Sequence, residues 1–366
     1  MLVREDLNVP MEGGRISDDT RLRAARPTLD KLKQMGARVV VMSHLGRPGG
    51  RPDPEFSLRP VAEAMGVRFV DDCLSPAGEV GEGEVVLLEN VRFHPGDETD
   101  DSEFARRLAG QGEVYVNDAF AASHRAHASV VGVARYLPAY AGYLMLAELE
   151  ALHRALDDPK RPLVAVVGGA KVSTKAAVLA HLLPRVETLA VVGAMANTFF
   201  KARGAQLGSS LVEDAALDAA RQVERDGGGK LVLPVDSVIA RRAAPGVETR
   251  VAGVDGIEPG WMILDIGPAT VELLGERMRG AGTIVWNGPA GVAEVPEFAA
   301  GTRALGEAIA ASGAYTLVGG GDTAAAVENL GLTGFSHVST GGGATLEAME
   351  GRELPGVAVL KEADGG

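Results

Sequence analysis

Cysteine, aromatic residues, positive charge and long apolar runs are all scarce in this chain of 366 residues. Its single cysteine, Cys73, cannot form a disulfide within the chain, so a disulfide framework is excluded and a cytoplasmic location is expected. No apolar run approaches the roughly 18 residues that span a bilayer, and the first residues lack the apolar core of a signal peptide. A net charge of −13 argues against general binding to nucleic acid or to membrane surfaces.

Apolar segments typical of buried strands alternate with helical patterns along the chain. The predicted strands are Leu2–Val9, Arg38–Met42, Val85–Leu88, Val114–Val116, Leu163–Val167, Thr188–Val192, Leu231–Val235, Met262–Ile266, Thr283–Trp286 and Thr316–Val318. Amphipathic helices are predicted between them, among others over Thr20–Met35, Lys171–Leu183 and Glu213–Arg225. Continuous apolar strands separated by helices predict parallel sheets that are covered on both faces. In such folds, ligands bind beyond the carboxyl ends of the strands.

A chain of this length favours two domains. The segment Leu144–Asp157 has helical periodicity and ends shortly before Pro159, and a second series of strands follows it directly. We therefore expect an α/β protein with two doubly wound parallel-sheet (Rossmann-like) domains, joined by a long helix and a hinge. The first domain is expected to include residues 1–150 and the second residues 151–346.

Arginine and histidine residues follow three predicted strands in the first half of the chain. The loops after these strands contain His44 and Arg47, then Arg92 and His94, and then His124, Arg125 and His127. In an acidic protein, such loops would concentrate positive potential in one cleft if they lie together. Arginine side chains match phosphate and carboxylate groups, so the pattern predicts a small ligand with several negative charges. The alternative is a set of unrelated solvated loops.

Two further features support an anion site in the first half. Strand periodicity places Arg4, Asp6 and Asn8 on one face of the first predicted strand. Arg21 lies in the first turn of a predicted helix, where a cation opposes the helix dipole unless an anion binds nearby. Each feature alone is also compatible with an ordinary solvated surface.

The segment from Tyr315 to Val327 predicts a phosphate-binding turn. A short apolar strand is followed by three glycines, then by Asp322 and Thr323 at the start of a helix. Glycine lets a phosphate approach the backbone, and a helix start offers unpaired N–H groups. The Asp322 carboxylate is a hard ligand that suits Mg²⁺. The alternative is a plain helix start in which Asp322 only caps the backbone.

Other strand ends in the second half are rich in glycine. After Leu163–Val167 come two glycines and then Lys171 and Lys175, whose spacing predicts one face of a helix near its N-terminus. This is not a Walker A loop, because the G-x-x-x-x-G-K-[ST] order is absent. Apolar walls with glycines would accept an adenine, and a carboxylate such as Glu294 would suit ribose hydroxyls.

Taken together, these motifs resemble the phosphoglycerate kinase family from Leu2 to about Leu360. The most specific segments are Ser-His-Leu-Gly-Arg-Pro (43–48), His-Arg-Ala-His (124–127), Gly-Gly-Ala-Lys-Val (168–172), Asp-Ile-Gly-Pro (265–268), Trp-Asn-Gly-Pro (286–289) and Gly-Gly-Gly-Asp-Thr (319–323). The resemblance implies reversible phosphoryl transfer between 1,3-bisphosphoglycerate and ADP, which gives 3-phosphoglycerate and ATP in glycolysis. It also implies a monomer and a chain end, residues 347–366, that returns to the first domain.

The resemblance assigns the site residues. Those that match glycerate-binding positions are Asp6, Leu7, Asn8, Arg21, His44, Leu45, Gly46, Arg47, Arg92 and Arg125. Those that match Mg-nucleotide-binding positions are Lys171, Lys175, Gly267, Asn287, Glu294, Gly320, Gly321, Asp322 and Thr323. Among these, Arg21, Lys175 and Lys171 match catalytic positions, and Asp322 matches the acid that contacts Mg²⁺.

The expected chemistry needs no general base, because the acceptor is a carboxylate that is already ionised at neutral pH. Catalysis should depend on alignment and charge neutralisation, with domain closure to exclude water. Three positions depart from the family pattern: Glu5 replaces a valine, Ala122 lies in a changed segment before His124, and Ala293 replaces a phenylalanine. Members of the family also generally begin well before the first strand of this chain.

Two other functional classes fit the sequence less well. A dinucleotide dehydrogenase needs G-x-G-x-x-G after a strand and an acid about 20 residues later, an arrangement that is absent here. A non-catalytic protein on the same fold would be expected to lack Arg21, Lys175 or Asp322, and all three are present.

Overall fold

The computed structural model describes residues 1–364, in which helices alternate with mainly parallel strands. The chain forms two compact units. One unit consists of Met1–Glu150 and the described residues from Glu353 onward, and the other of Ala151–Arg352. None of the helices in this described part combines the length and the apolar character that a membrane span requires.

The first unit contains a six-stranded parallel sheet with the order β5-β6-β4-β1-β7-β8. Its strands, with a short hairpin formed by β2 and β3, are β1 Leu2–Arg4, β2 Met11–Glu12, β3 Arg15–Ile16, β4 Val39–Met42, β5 Arg68–Val70, β6 Val85–Leu88, β7 Tyr115–Asn117 and β8 Ala139–Ala141. Its first helices are α1 Thr20–Gln34, α2 Arg59–Met65, α3 Pro95–Glu98, α4 Ser102–Ala109 and α5 Tyr143–Leu152.

The second unit contains another six-stranded parallel sheet, with the order β11-β10-β9-β15-β16-β17, and a three-stranded antiparallel sheet, β13-β12-β14. The strands are β9 Leu163–Val167, β10 Thr188–Val191, β11 Leu231–Val232, β12 Asp236–Ala240, β13 Thr249–Gly253, β14 Met262–Ile266, β15 Thr283–Asn287, β16 Tyr315–Gly319 and β17 His337–Val338. The helices are α6 Ala176–Leu182, α7 Met195–Ala202, α8 Leu217–Gly227, α9 Pro268–Met278, α10 Ala300–Ala310, α11 Gly321–Asn329 and α12 Gly343–Met349. The last helix of the chain, α13 Pro355–Asp364, belongs to the first unit.

The predicted fold class is confirmed. Every residue of β4, β9 and β15 is buried, so these central strands are covered on both faces, as their continuous apolar character predicts. The segment predicted as a long helix is helical throughout, since α5 is followed by a π-helical turn over His153–Asp157. The boundary between the two units falls within this helix, after Glu150.

Several details differ from the sequence-based expectation. β1 ends at Arg4 rather than at Val9, because the chain then leaves the sheet and the Leu7 amide donates to the Ser43 hydroxyl. Met262–Ile266 is a strand as predicted, but it pairs antiparallel. The chain joins the first unit from Glu353 rather than from residue 347, since α12 packs against α6 of the second unit. Residues 365–366 of the expected returning segment lie outside the described residues.

Candidate active site

The sheet order of the first unit brings three predicted loops together. β1 lies between β4 and β7, and β6 lies on the other side of β4. In the parallel register, Arg4 is beside both Met42 and Asn117, and Val41 is beside Leu87, so the predicted loops after β4, β6 and β7 begin at the same edge as the segment after β1. This is the edge at which ligands bind in doubly wound sheets.

Hydrogen bonds connect the predicted residues of these loops. The Gly46 amide donates to Asn8 Oδ1 at 2.8 Å, and Arg92 Nη1 donates to the Gly46 carbonyl oxygen at 2.9 Å. Arg21, in the first turn of α1, forms an ion pair with the mostly buried Asp6 carboxylate. The structure therefore links the loop after β1, the start of α1, the loop after β4 and the segment after β6.

Cations are crowded at this edge of the sheet. Arg4 is fully buried, and its Nη2 donates to His44 Nδ1 at 3.1 Å. Burial and the neighbouring Arg4 and Arg92 hold the pKa of His44 well below its ordinary value. Burial and the charge of Arg4 also lower the pKa of Arg92 to about 10, with a further contribution from Arg125. The guanidinium groups repel one another and keep the His44 ring uncharged, and a bound polyanion would relieve the repulsion.

The remaining predicted residues of the first unit have different environments. Leu7 and Leu45 are buried in the core, so they can contribute only their backbone groups to a ligand. Arg47 is exposed, and Arg125 is half-buried with its Nε donating to His124 Nε2 at 3.1 Å. The predicted glycerate-binding set therefore contains both charged groups and backbone positions.

Sequence reasoning did not include Asn90, which organises the same loops. Its Nδ2 donates to the carbonyl oxygens of Leu45 and Phe56, at 2.7 and 2.9 Å, and its Oδ1 accepts from the Arg92 amide. The signal that could have identified Asn90 is its place two residues after the apolar strand Val85–Leu88. A polar side chain in the loop after a parallel strand is a candidate for a structural or binding role.

Glu5, which departs from the family pattern, lies inside the first unit without a partner. The residue is fully buried, and neither carboxylate oxygen has a hydrogen-bond partner among the residues that the structure describes. Burial raises the pKa of Glu5 well above its ordinary value, and the carboxylate of Asp118 adds to the shift. A carboxylate at this position is expected to need a partner or solvent, and among the described residues Glu5 is buried without a hydrogen-bond partner.

In the second unit, glycine-rich loops leave three neighbouring strands. Asn287, the last residue of β15, lies beside Val167 of β9 and Gly319 of β16. The point at which the strand order reverses lies between β9 and β15, and ligands bind at such points. The Gly168 amide donates to the Asn287 carbonyl oxygen at 2.8 Å, so the first two loops are in direct contact.

Side chains from the predicted set complete this arrangement. Lys175 Nζ donates to Asn287 Oδ1, and Asn287 Nδ2 donates to the Gly319 carbonyl oxygen at 2.9 Å. The buried Thr323 hydroxyl donates to the Gly319 carbonyl oxygen at 2.8 Å and accepts from the Gly288 amide at 2.6 Å. Burial lowers the pKa of Lys175, and the carboxylate of Asp322 acts in the opposite direction.

Gly168 is expected to be intolerant of any side chain. A Cβ atom there would overlap the carbonyl oxygens of Gly288 and Pro289, which belong to the neighbouring loop. We expect Gly168→Ala to lower the free energy of unfolding by about 1–3 kcal/mol, the usual effect of overpacking. Urea denaturation followed by circular dichroism would measure the change.

Gly275 offers a matched control, because it lies in α9 and no heavy atom is within 4 Å of a Cβ built there. Gly275→Ala is expected to raise the free energy of unfolding by about 0.5–1 kcal/mol, since alanine favours helix more than glycine. An equal change in the free energy of unfolding for Gly168→Ala and Gly275→Ala would show that the contact with the neighbouring loop does not restrict Gly168.

A cavity of about 410 Å³ opens beside these loops, and both Glu294 and Asp322 line it. Its wall includes Ala290 and Gly291, and Asp265 forms another part of its lining. Burial raises the pKa of Asp265 to about 7, although hydrogen bonds from the Gly301 and Ile266 amides oppose the shift.

Two predicted residues are placed differently from the expectation. Residues 171–175 form a turn and α6 begins only at Ala176, so Lys171 and Lys175 do not share a helical face, and Lys171 is exposed. The physical reason is that Lys175 is the N-cap residue, and only the residues after it adopt helical geometry. Gly267 is the N-cap residue of α9 and directly follows Asp265 and Ile266, which line the cavity.

Comparisons with known proteins give a consistent result over the whole chain. The family model described as phosphoglycerate kinase matches residues 1–352. Phosphoglycerate kinases of Rubrobacter xylanophilus and Moorella thermoacetica are 53% and 50% identical to the chain, covering 100% and 99% of it and 96% of each relative. The solved structure of phosphoglycerate kinase from Coxiella burnetii is similar with a TM-score of 0.92 and 46% identity, over 99% of this chain and 95% of that one.

The match extends over both units and includes the strand-end loops described above. The chain therefore belongs to the phosphoglycerate kinase family, the glycolytic phosphotransferases that transfer a phosphoryl group between ATP and the carboxyl group of 3-phosphoglycerate.

Proposed function

We propose that the first unit binds 3-phosphoglycerate or 1,3-bisphosphoglycerate and that the second unit binds ATP or ADP with Mg²⁺. The crowding of Arg4, Arg92 and Arg125 around His44 is the observation that carries the first assignment, because burial with Arg4 and Arg92 lowers the pKa of His44, and burial with Arg4 and Arg125 lowers the pKa of Arg92. A ligand with both a phosphate and a carboxylate would relieve that repulsion at two points.

The residue roles in the first unit follow from their contacts. Arg21, Arg92 and Arg125 would bind the phosphate and the carboxylate groups, and His44 would donate a hydrogen bond. Asn8 would hold Gly46 in position, because its side chain already accepts a hydrogen bond from the Gly46 amide. Asp6 would hold Arg21 in position through their ion pair. We propose that Arg21 also stabilises the phosphoryl group during transfer.

In the second unit, the glycine-rich loops would bind the phosphates. The backbone near Gly320 and Gly321 precedes α11, whose first amides have no partner within the helix. Lys175 would neutralise charge on the transferring group, with Lys171 reaching the same region from its exposed turn. Glu294 in the cavity wall would accept hydrogen bonds from ribose hydroxyls.

The proposed reaction requires no proton transfer. A carboxylate oxygen of 3-phosphoglycerate forms a bond to the terminal phosphorus of ATP, and the bond from that phosphorus to the bridging oxygen breaks. The bond electrons leave with ADP, so atoms and charge balance without a base. The protein contributes alignment and fixed positive charge, which are the main sources of rate in phosphoryl transfer.

The residues of the second unit fit a magnesium ion. Asp322 has an exposed carboxylate in the first turn of α11 and lines the same cavity as Glu294. Magnesium prefers one or two carboxylates together with phosphate oxygens, and this donor set offers that chemistry. When bound, the ion would neutralise negative charge on the nucleotide phosphates. Lys175, near Asp322, would hold the same phosphates from another side.

An assay of the purified chain with ATP and 3-phosphoglycerate tests this proposal. We expect turnover that depends on Mg²⁺, and we expect Asp322→Asn to raise the Mg²⁺ concentration for half-maximal rate at least about tenfold, because one anionic ligand is lost. Steady-state rates over a magnesium titration at fixed nucleotide would measure the shift.

Glu328→Gln is the matched control, because Glu328 is an exposed acid on the same helix, α11. It should leave the magnesium dependence unchanged. An identical magnesium requirement in Asp322→Asn and the wild type would exclude Asp322 as the ligand. A folded chain without turnover would contradict the proposed function itself.

We also propose that the chain acts as a monomer in the cytoplasm, as the family resemblance implies. Its single cysteine and acidic composition support this location.

A further inference from the structure

A second polar site lies in the first unit, away from the residues assigned to substrate. Asp72, Cys73 and His94 each present one donor atom, and these donor atoms all lie within 4.8 Å of one another. They come from two separate segments, one after β5 and one just before α3. None of them is among the residues that the family resemblance assigns to the glycerate or the nucleotide.

A cavity of about 520 Å³ gives access to these groups. Its lining includes all three residues, together with Asp53, Ser57 and Glu89. The side chains of Asp72 and His94 are 45% and 33% exposed, whereas Cys73 is almost fully buried. The imidazole and the carboxylate therefore lie near solvent, with the thiol deeper.

Two neighbouring carboxylates already have partners. Asp71 forms an ion pair with Arg59, and the Glu89 carboxylate accepts from the Ser57 hydroxyl and the Leu58 amide. Asp72 has no arginine or lysine partner within the described residues; its Oδ1 lies 2.9 Å from His94 Nε2. A cation could bind between these two side chains in place of their direct contact.

From this geometry we propose that Asp72, Cys73 and His94 bind a divalent transition-metal ion of the zinc class. Thiolate, imidazole and carboxylate together suit Zn²⁺ or Co²⁺, whereas Mg²⁺ prefers oxygen ligands alone. Ligand atoms around a tetrahedral zinc ion are about 3.3–3.8 Å apart, as its bond lengths require. The donor atoms lie at most 4.8 Å apart and the Asp72 and His94 atoms only 2.9 Å apart, so binding requires the side chains to adjust toward this range, and solvent can fill the fourth position.

The carboxylates around the thiol favour a bound cation, whereas burial of the thiol opposes its ionisation. Burial raises the pKa of the Cys73 thiol, and the carboxylates of Asp72, Asp97 and Glu89 add to the effect. Burial acts to raise the pKa of Asp72 too, but hydrogen bonds from the Leu74 amide and from His94 hold it below its ordinary value. Asp72 is therefore charged at neutral pH. When the metal–sulfur bond forms, the thiol proton is released to solvent.

Cobalt is the most specific probe of this site, because its thiolate band requires a cysteine and the chain has only one. A Co²⁺–thiolate bond gives an intense near-ultraviolet charge-transfer band, and in this protein that band can report only Cys73. We expect the full chain without nucleotide to give a saturable band at one ion per chain. Zn²⁺ should then remove the band by displacement and should raise the melting temperature.

Three variants test the ligand set. Cys73→Ser should abolish the band, and His94→Gln, at a half-buried position, should weaken Co²⁺ binding at least about tenfold. His153→Gln is the matched control, because His153 Nδ1 lies 3.2 Å from an Asp157 carboxylate oxygen in an exposed pair without a thiol. It should bind Co²⁺ as the wild type does.

Two results would overturn the proposal. The first is a folded wild-type chain that gives no thiolate band at millimolar Co²⁺. The second is a band of unchanged affinity in His94→Gln, which would mean that the thiol binds the ion without the imidazole. Circular dichroism of each variant separates loss of binding from loss of fold, and His94→Gln decides the question if Cys73→Ser does not fold.

Discussion

Replacement of Arg21 by alanine is expected to lower kcat by about 100-fold or more. Removing one donor that stabilises charge in the transition state typically has an effect of this size. Nucleotide affinity should hardly change, because Arg21 belongs to the first unit and the nucleotide is assigned to the second. Steady-state kinetics in the direction of ATP consumption and calorimetric titration with Mg-ATP would measure the two quantities.

Arg23 provides the control, since it is an arginine in the same helix whose side chain is 60% exposed and forms an ion pair with Asp19. Arg23→Ala should leave kcat within about twofold, as expected for an exposed ion pair. Arg21→Lys keeps the charge but loses the planar fork, so it should recover only part of the rate. An unaltered kcat in Arg21→Ala would remove this residue from its proposed role.

Replacement of Glu5 by valine, the residue that the family usually has at this position, is expected to stabilise the first unit. The buried carboxylate has no hydrogen-bond partner among the described residues, and leaving such a group unsatisfied costs about 1–3 kcal/mol. We therefore expect Glu5→Val to raise the free energy of unfolding by about that amount at pH 8, as measured by urea denaturation.

The gain should depend on pH, because burial raises the folded-state pKa of Glu5 well above its value of about 4.3 in an unfolded chain. The folded state then holds a proton that the unfolded state has lost. The stability associated with that proton is complete below about pH 4.3 and is lost as pH rises through the folded-state pKa. The valine variant should therefore gain less at pH 5 than at pH 8.

Glu5→Gln and Glu63→Gln form a matched pair that isolates the charge, because Glu63 is exposed on α2. Removing the charge at Glu5 should flatten the dependence of stability on pH, and the same change at Glu63 should not. A destabilisation by Glu5→Val that is equal at both pH values would show that lost packing outweighs the unpaired carboxylate.

Much of the proposed glycerate site in the first unit and of the proposed nucleotide site in the second could be predicted from the sequence, because their residues follow apolar strands. Val39–Met42 is a strand within one residue of the expected bounds, and His44 follows it at the sheet edge. Likewise, β15 and β16 end at Asn287 and Gly319, each within one residue of the predicted strand end, and the two strands are adjacent in the sheet. Local patterns suffice there because apolar runs and glycines mark strand ends independently of the rest of the chain.

Other features depend on contacts that no local pattern contains. The turn at residues 171–175 has the same alternation of apolar and polar residues as a helix start, so periodicity could not distinguish them. The role of Asn90 depends on carbonyl groups 34 and 45 residues away. The antiparallel sheet of β12, β13 and β14 includes the mostly exposed strand Thr249–Gly253, which lacks the apolar run that would reveal it.

The hydrogen bond from Arg4 to His44 determines which imidazole tautomer is present. Arginine can only donate, so Nδ1 must be the acceptor, and the ring hydrogen must be on Nε2. Since the pKa of His44 is also held well below its ordinary value, the ring stays uncharged over the whole physiological range. Before an anion binds, His44 is thus a neutral donor whose ring hydrogen is held on Nε2, so the first contact with an acidic ligand is a hydrogen bond and not an ion pair.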